Sequence, residues 1–261
     1  MLWLWITLSI AGLMTGVIVT VVLLRRRREI KFAEADLWLL NEFRRCNVMV
    51  FGKKGSGKDV LFAHVVAMRG EKHYSNIPYD ENTEVIELSE VAAGDNTFED
   101  CINGTIRPFA PRFDEGTDIY ISDAGIYFPN TSDRRLNELY PSMPVLFALS
   151  RHLYNNNIHT NCQALERPWK KIREQADSYI QVRRTVNRGD HLVVDFAGYD
   201  KYGNADAETD PVIQAKVRVP VSELQYDSRY FRQKFLTEVP SAHAKVMRKT
   251  IRRVNYDKPA R

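Results

Sequence analysis

The chain has 261 residues, 44% of them hydrophobic and 27% charged, with a formal charge of +4, enough beyond its apolar first segment for one medium α/β domain and a smaller addition. Its three cysteines, Cys46, Cys101 and Cys162, are widely spaced with no C-x-x-C, which argues against a zinc site and fits reduced, packed thiols in a cytosolic compartment. The positive charge is uneven: Arg25 to Arg28 form one block, and Lys245, Arg248, Lys249, Arg252, Arg253, Lys258 and Arg261 crowd the end, where they suit anionic lipid or nucleic acid equally.

Met1 to Leu24 contains no charged residue and is mostly Leu, Ile, Val and Trp, about the length that crosses a bilayer. A single-pass transmembrane helix over 1–24 is expected, with Trp3 and Trp5 at one interface and the four arginines marking the other as cytoplasmic. A cleaved signal peptide does not fit, because no basic stretch precedes the apolar one and no small-residue cleavage site follows it. Gly12 and Gly16 make a G-x-x-x-G pair that permits close approach of a second helix. Residues 25–45 then read as a basic juxtamembrane helix, with Phe32, Ala35, Leu39 and Phe43 at helical spacing.

Asn47 to Met68 reads as strand, glycine turn and helix. Val48 to Phe51 is an unbroken apolar run, as in a strand buried on both faces of a parallel sheet, and Val60, Leu61, Val65, Val66 and Met68 mark an apolar helix. Between them Gly52, Lys53, Lys54, Gly55, Ser56, Gly57 and Lys58 fit the phosphate loop G-x-x-x-x-G-K. Backbone N–H groups of such a loop close around phosphate oxygens, the lysine reaches the outer phosphates, and the helix aims its positive end at the same anion. The motif's last position, normally a Ser or Thr whose hydroxyl ligates Mg2+, is Asp59.

Further along, His73 to Ile77 is strand-like and stopped by Pro78. Glu81 to Pro111 has the mixed polarity of edge helices and loops. Asp118 to Asp123, DIYISD, is a strand ending in a carboxylate, the form of a Walker B strand whose Asp123 holds Mg2+ directly or through water. The acid that orients the attacking water in many such enzymes comes next, and here that residue is Ala124; Asp114, Glu115 and Glu138 are substitutes without a geometric warrant. Pro144 to Leu153, the turn at Asn155 to Asn157 and Ile158 to Gln163 read as helix, turn and strand, continuing a βα alternation that implies a parallel sheet. Gln163, at the strand end, is placed to sense a γ-phosphate or position water. Trp169 to Asp177 reads as a helix, and Arg151 and Arg173 are candidate trans-acting arginine fingers or surface arginines. Tyr179 to Val186, His191 to Ala197 and Val212 to Val219 are β-rich runs suggesting appended antiparallel hairpins. Tyr226 to Phe235 reads as a short helix before the basic tail after Ser241.

The order of phosphate loop, His73-Tyr74-Ser75-Asn76-Ile77-Pro78, Walker B strand, Ser150-Arg151-His152, a strand ending in Gln163 and a helix with Ile172, Arg173 and Asp177 resembles the zonular occludens toxin-like family, which includes filamentous-phage assembly ATPases. The resemblance runs from about Cys46 to Val186. It implies a membrane-anchored, homo-oligomeric P-loop ATPase that extrudes phage through the inner membrane, with ATP and Mg2+ as ligands and coat or other assembly proteins, and single-stranded DNA, as partners. By position, Gly52 to Asp59 would bind nucleotide, Lys58, Asp123 and Gln163 would serve catalysis, and Asp59 and Asp123 the metal. Three departures stand out: Asp59 for the hydroxyl residue, Ala124 for the acid, and a membrane segment before the ATPase rather than after it. The domain plan is then anchor 1–24, juxtamembrane helix 25–45, ATPase 46–187, β-rich extension 188–240 and basic tail 241–261. A nucleotide-binding scaffold with little hydrolysis and a DNA-transfer coupling ATPase are the competing readings.

Overall fold

The computed structural model describes residues 2–88, 103–104, 113–128, 130, 143–200 and 211–224, with side chains undescribed for 1–13 and 25–30. Glu138, Cys101, the expected helix at 226–235 and the tail 241–261 lie outside the described residues. One uninterrupted helix, α1, runs Leu2–Arg45, so the expected anchor and juxtamembrane helix are one element; arginine is a strong helix former and does not break it. Ala35, Leu39 and Phe43 of α1 are buried while Leu37 is exposed, the one-sided stripe of a helix lying on a core. Among the described residues no helix is long and apolar enough to cross a membrane. The undescribed side chains of 2–13 belong to the segment where the span is expected.

The strands are β1 (Val48–Phe51), β2 (His73–Ser75), β3 (Thr83–Val85), β4 (Ile119–Ile121), β5 (Ile158–Cys162), β6 (Ser178–Asn187), β7 (His191–Tyr199) and β8 (Ile213–Pro220). They form one sheet in the order β3-β2-β4-β5-β1-β6-β7-β8. Pairings are parallel from β3 across to β6, with Met49 opposite Thr160 on one side and Tyr179 on the other. Beyond β6 the sheet turns antiparallel, and the β6–β7 register slips between Val182 and Arg184. The expected hairpins therefore continue the main sheet instead of forming a separate layer.

Helix α2 (Lys58–Arg69) follows β1, a single turn α3 (Ala124–Tyr127) follows β4, α4 (Met143–Tyr154) precedes β5, and α5 (Lys170–Arg173) leads to β6. The helix expected over Trp169 to Asp177 is thus one turn, Lys170–Arg173. Thr83–Val85, within the stretch expected to hold edge helices and loops, is the strand at one edge of the sheet.

Central strands are covered on both sides, as parallel sheets require. Val48 and Val50 pack with Leu39, Phe43, Leu61, Phe62 and Val65 under α1 and α2, while Met49 and Phe51 pack with Cys162, Leu165 and Tyr179 on the other face. Phe43 sets its ring edge-on to Phe62 at 6.0 Å and stacks on Tyr120 at 6.2 Å.

Candidate functional site

The loop between β1 and α2 crosses the carboxyl end of the sheet, where ligands of open parallel sheets bind. Gly52 N–H donates to the Cys162 carbonyl at 3.3 Å and Ser56 N–H to the Lys53 carbonyl at 3.0 Å, which rounds the loop. A methyl group on Gly52 would stand 2.3 Å from the Val182 carbonyl oxygen, so no larger residue fits against β6. Gly57 caps α2 at φ 100°, with no side chain capping the helix. The first intrahelical bond is Leu61 N–H to the Gly57 carbonyl, 3.0 Å. The amides of Lys58, Asp59 and Val60 precede it, and with the helix dipole they form an anion site. Lys58 is buried and its Nζ donates to the Lys53 carbonyl at 3.4 Å, which holds the ammonium over the loop it would share with phosphate.

Asp59 opens α2 and faces the ends of β4 and β5. Its Oδ1 accepts hydrogen bonds from Ser122 Oγ and Asn161 Nδ2, each 2.8 Å, and from Tyr79 OH at 3.5 Å. Its Oδ2 has no hydrogen bond among the described residues. Asn161 Nδ2 also reaches Ser122 Oγ at 2.9 Å, and Tyr79 OH joins the same hydroxyl. Asn76 pins Ser122 through the backbone in both directions: Ser122 N–H donates to Asn76 Oδ1 at 2.8 Å, and Asn76 Nδ2 to the Ser122 carbonyl at 3.0 Å.

Asp123 takes a left-handed conformation, φ 53° and ψ 43°, at the start of α3, and its N–H donates to Asn161 Oδ1 at 2.9 Å. Burial, and then the negative charge of Asp59, raise its carboxyl above the ordinary range, against the pull of Lys58, Arg167 and Lys54. Gln163 lies at the rim, its Oε1 accepting from Arg167 Nη1 at 2.8 Å. Lys53, Lys54 and Gly55 are exposed along the loop.

Asp114 does not belong to this end. It precedes β4, at the amino end of the strands, and pairs with Lys72 at 2.6 Å; Glu115 shares its turn. Arg151 is held by the Arg45 carbonyl and by Asp177, 3.0 and 2.9 Å. Arg173 is buried and donates to the Leu165 carbonyl at 2.9 Å. Both arginines brace the fold within this chain, and Arg173 is no surface residue.

The structure adds residues that sequence reasoning passed over: Asn76, Tyr79, Ser122, Asn161, Arg167 and Thr185. Thr185 Oγ1 on β6 donates to the Ser56 carbonyl at 2.7 Å and so buttresses the phosphate loop from the side. Asn76 and Ser122 sit inside segments whose order was already distinctive; Asn161, two residues before Gln163, was within reach of the same reading.

Among the described residues no group of three or more His, Cys, Asp and Glu side chains could hold a metal. Asp59 and Asp123 supply two carboxylates, and Mg2+ is commonly held by one or two carboxylates together with substrate phosphates and water. The open Oδ2 of Asp59 beside an uncapped helix start therefore fits a magnesium-bound polyphosphate.

No protein-family model matches the sequence, and no curated protein matches it. Solved structures similar to it include the N-terminal domain of zonular occludens toxin from Neisseria meningitidis, at 15% identity and a TM-score of 0.38, covering 71% of this chain and 97% of that one. The genome packaging NTPase B204 from Sulfolobus turreted icosahedral virus 2 is similar at 14% identity and a TM-score of 0.33, covering 60% and 93%. The pCW3 conjugation coupling protein TcpA is similar at 13% identity and a TM-score of 0.37, covering 68% and 60%. At these scores nothing of their activities is carried over. What stands is a mixed α/β fold with a mostly parallel sheet.

Proposed function

We propose that the chain is a membrane-anchored ATPase whose phosphate loop, Gly52 to Asp59, binds ATP with Mg2+. The observation that carries this is the junction of β1, glycine loop and α2 beside the end of β4, where Lys58 lies over the loop and Asp59 meets Ser122 at 2.8 Å. Loop amides and the α2 N-terminus would take the β-phosphate, and Lys58 the β- and γ-oxygens. Asp59 and Asp123 are the carboxylates that would hold the metal, whose positive charge would offset the negative charge developing on phosphoryl transfer. Gln163, held by Arg167, is the rim group nearest in character to a γ-phosphate sensor.

The apolar first segment supports the anchor. Met14, Val17, Ile18, Val19, Val21, Val22, Leu23 and Leu24 are all exposed on α1, an apolar surface all round the helix, which water disfavours and lipid accepts. Thr20, one of two threonines among them, turns its hydroxyl onto the Gly16 carbonyl at 2.8 Å. The motif order from the phosphate loop to Gln163 supports the finer reading: a homo-oligomer in the inner membrane, ATPase facing the cytoplasm, driving assembly and extrusion of filamentous phage with coat proteins as partners.

The test is phosphate release from ATP by the full chain in detergent, with Lys58→Ala and Asp123→Asn as controls and with single-stranded DNA added. Turnover lost in Lys58→Ala supports the ATPase. Nucleotide binding without turnover returns the scaffold reading, turnover raised strongly by DNA favours a DNA-transfer ATPase, and no affinity for ATP in magnesium defeats all three.

A further inference from the structure

We infer that this chain has reversed the carboxylate and the hydroxyl of its metal site, the helix supplying the carboxylate ligand through Asp59 and the strand end supplying through Ser122 the hydroxyl that holds it, with Asp123 moved one place outward to act on water. The inference rests on the nucleotide-binding reading above and goes beyond it, because it separates two acids that the sequence assigns alike to the ion.

In a phosphate-loop enzyme the loop's last residue is a hydroxyl and the carboxylate stands on the Walker B strand. One ion recruits both, so the two are neighbours. Here the loop ends in Asp59, and the strand-end residue hydrogen-bonded to it is Ser122, at 2.8 Å. The pair is complete, with its members reversed. Ser122 is 1% exposed and fixed by two backbone bonds to Asn76, while Asn161 donates to both members of the pair, at 2.8 and 2.9 Å. These bonds converge on Asp59 Oδ1 and orient the carboxylate so that Oδ2 is the oxygen left for a cation.

Had the strand ended in its usual carboxylate, Asp59 would face a second one within hydrogen-bond distance, and the two charges would repel. A serine there removes the conflict. The left-handed turn at Asp123, φ 53°, begins α3, and no hydrogen bond joins Asp123 to Asp59 among the described residues. Counted from Ser122, Asp123 occupies the next position, where the water-orienting acid stands; the acid missing at Ala124 is present one residue earlier. In the hydrolysis it serves, the water oxygen bonds to the γ-phosphorus. The bond from γ-phosphorus to the β–γ bridging oxygen breaks with its electrons leaving on ADP, and the water proton passes to the Asp123 carboxylate.

The test is calorimetric titration of the full chain in detergent with a non-hydrolysable ATP analogue, with Mg2+ and with EDTA, alongside ATP turnover. Asp59→Asn keeps an acceptor for Ser122 but loses the charge; it should lose the magnesium-dependent part of the affinity, about tenfold or more, and keep the affinity in EDTA. Asp123→Asn should keep magnesium-dependent affinity within about threefold and lose turnover. Asp59→Ser/Ser122→Asp, which restores the usual order, should bind the magnesium complex at least about tenfold better than Asp59→Ser alone, a coupling that independent sites do not show. The inference is overturned if the reversed pair gains nothing over Asp59→Ser while both bind equally in EDTA, or if Asp123→Asn loses as much magnesium-dependent affinity as Asp59→Asn. Wild-type binding that ignores magnesium overturns it and leaves the nucleotide reading standing; wild-type chain that binds no nucleotide in either buffer sinks both.

Discussion

Gly57 is one of the two tightly held glycines of the phosphate loop, and Gly57→Ala measures that constraint. The residue sits at φ 100°, and a methyl group built on it would lie 1.9 Å from Thr185 Oγ1 and 3.0 Å from Thr185 Cβ. Two costs follow. Holding an L-residue in the left-handed region costs about 1–2 kcal/mol. Expelling Thr185 breaks its 2.7 Å bond to the Ser56 carbonyl, worth about 1 kcal/mol net. The sum, roughly 2–3 kcal/mol, should appear in urea denaturation followed by tryptophan fluorescence as a lower midpoint at unchanged slope. In a Thr185→Gly background the 1.9 Å and 3.0 Å contacts are both absent, so adding Gly57→Ala should cost only the backbone part, about 1–2 kcal/mol. Nucleotide affinity should fall in Gly57→Ala and recover partly in the double variant, because the loop regains its shape. An unchanged midpoint in Gly57→Ala would show that neither the conformation nor the Thr185 contact constrains the loop.

Two further predictions concern the framework around the site. His64 on α2 bonds Asp36 of α1 at 2.9 Å and Glu223 at 3.0 Å; burial lowers its pKa, but the two carboxylates outweigh this and raise it above 6.5. Its stabilisation is therefore full below pH 6.5 and lost as pH rises through the raised folded value. The stability gap between wild type and His64→Gln should narrow over that window in pH-stepped urea titrations; a gap constant from pH 6 to 9 refutes the coupling. Buried Asp118 accepts from Arg69, from the Asn157 N–H at 2.8 Å and from His159 at 3.3 Å. Asp118→Asn leaves Arg69 without its buried partner and should cost about 3–5 kcal/mol, read from the same denaturation curves, and a loss below about 1 kcal/mol would show the pair to be solvated.

What the sequence displayed well was whatever depends on near neighbours. Val48 to Phe51, the glycine loop and the apolar residues of α2 are contiguous, and periodicity alone places them. The three β-rich runs from Ser178 onward likewise became strands, because alternation and turn residues are local signals. Long-range placement was not displayed. β1 lies between β5 and β6, strands more than a hundred residues later, and no local pattern encodes that order. The partners of Asp59 follow from it: Ser122 and Asn161 come from β4 and β5, which are adjacent only in the folded sheet. Asp123 was conspicuous as a strand-end acid, whereas Ser122 beside it had no signal until Asp59 was seen to reach it. Trp169 to Asp177 has helix-forming lysines and glutamate, yet the chain turns after Arg173 because Asp177 and Ser178 N–H groups bond the Asn47 carbonyl, at 2.9 and 3.2 Å, to align β6 with β1. A tertiary bond there outweighs propensity.

The same geometry bears on how a nucleotide site would act on the rest of the molecule. α2 carries Lys58 and Asp59 at its first turn and His64 further along, so a ligand pulling on its N-terminus acts on the residue that ties it to α1 and to the turn Val221–Glu223 after β8. Those ties are directional hydrogen bonds between opposite charges at low pH, which resist sliding more than apolar contacts do. α1 is in turn fastened to the antiparallel strands by Trp38 stacked on Phe196 at 5.9 Å and by Arg218 over the Phe32 ring at 5.0 Å. Because α1 is one helix from Leu2 to Arg45, it has no hinge between this clamp and its exposed apolar half. In the membrane-anchored reading, a displacement of α2 at the phosphate loop therefore reaches the bilayer through a continuous helix, and a flexible Gly/Ser insertion after Arg28 should leave nucleotide affinity intact while uncoupling it from whatever the anchored segment drives.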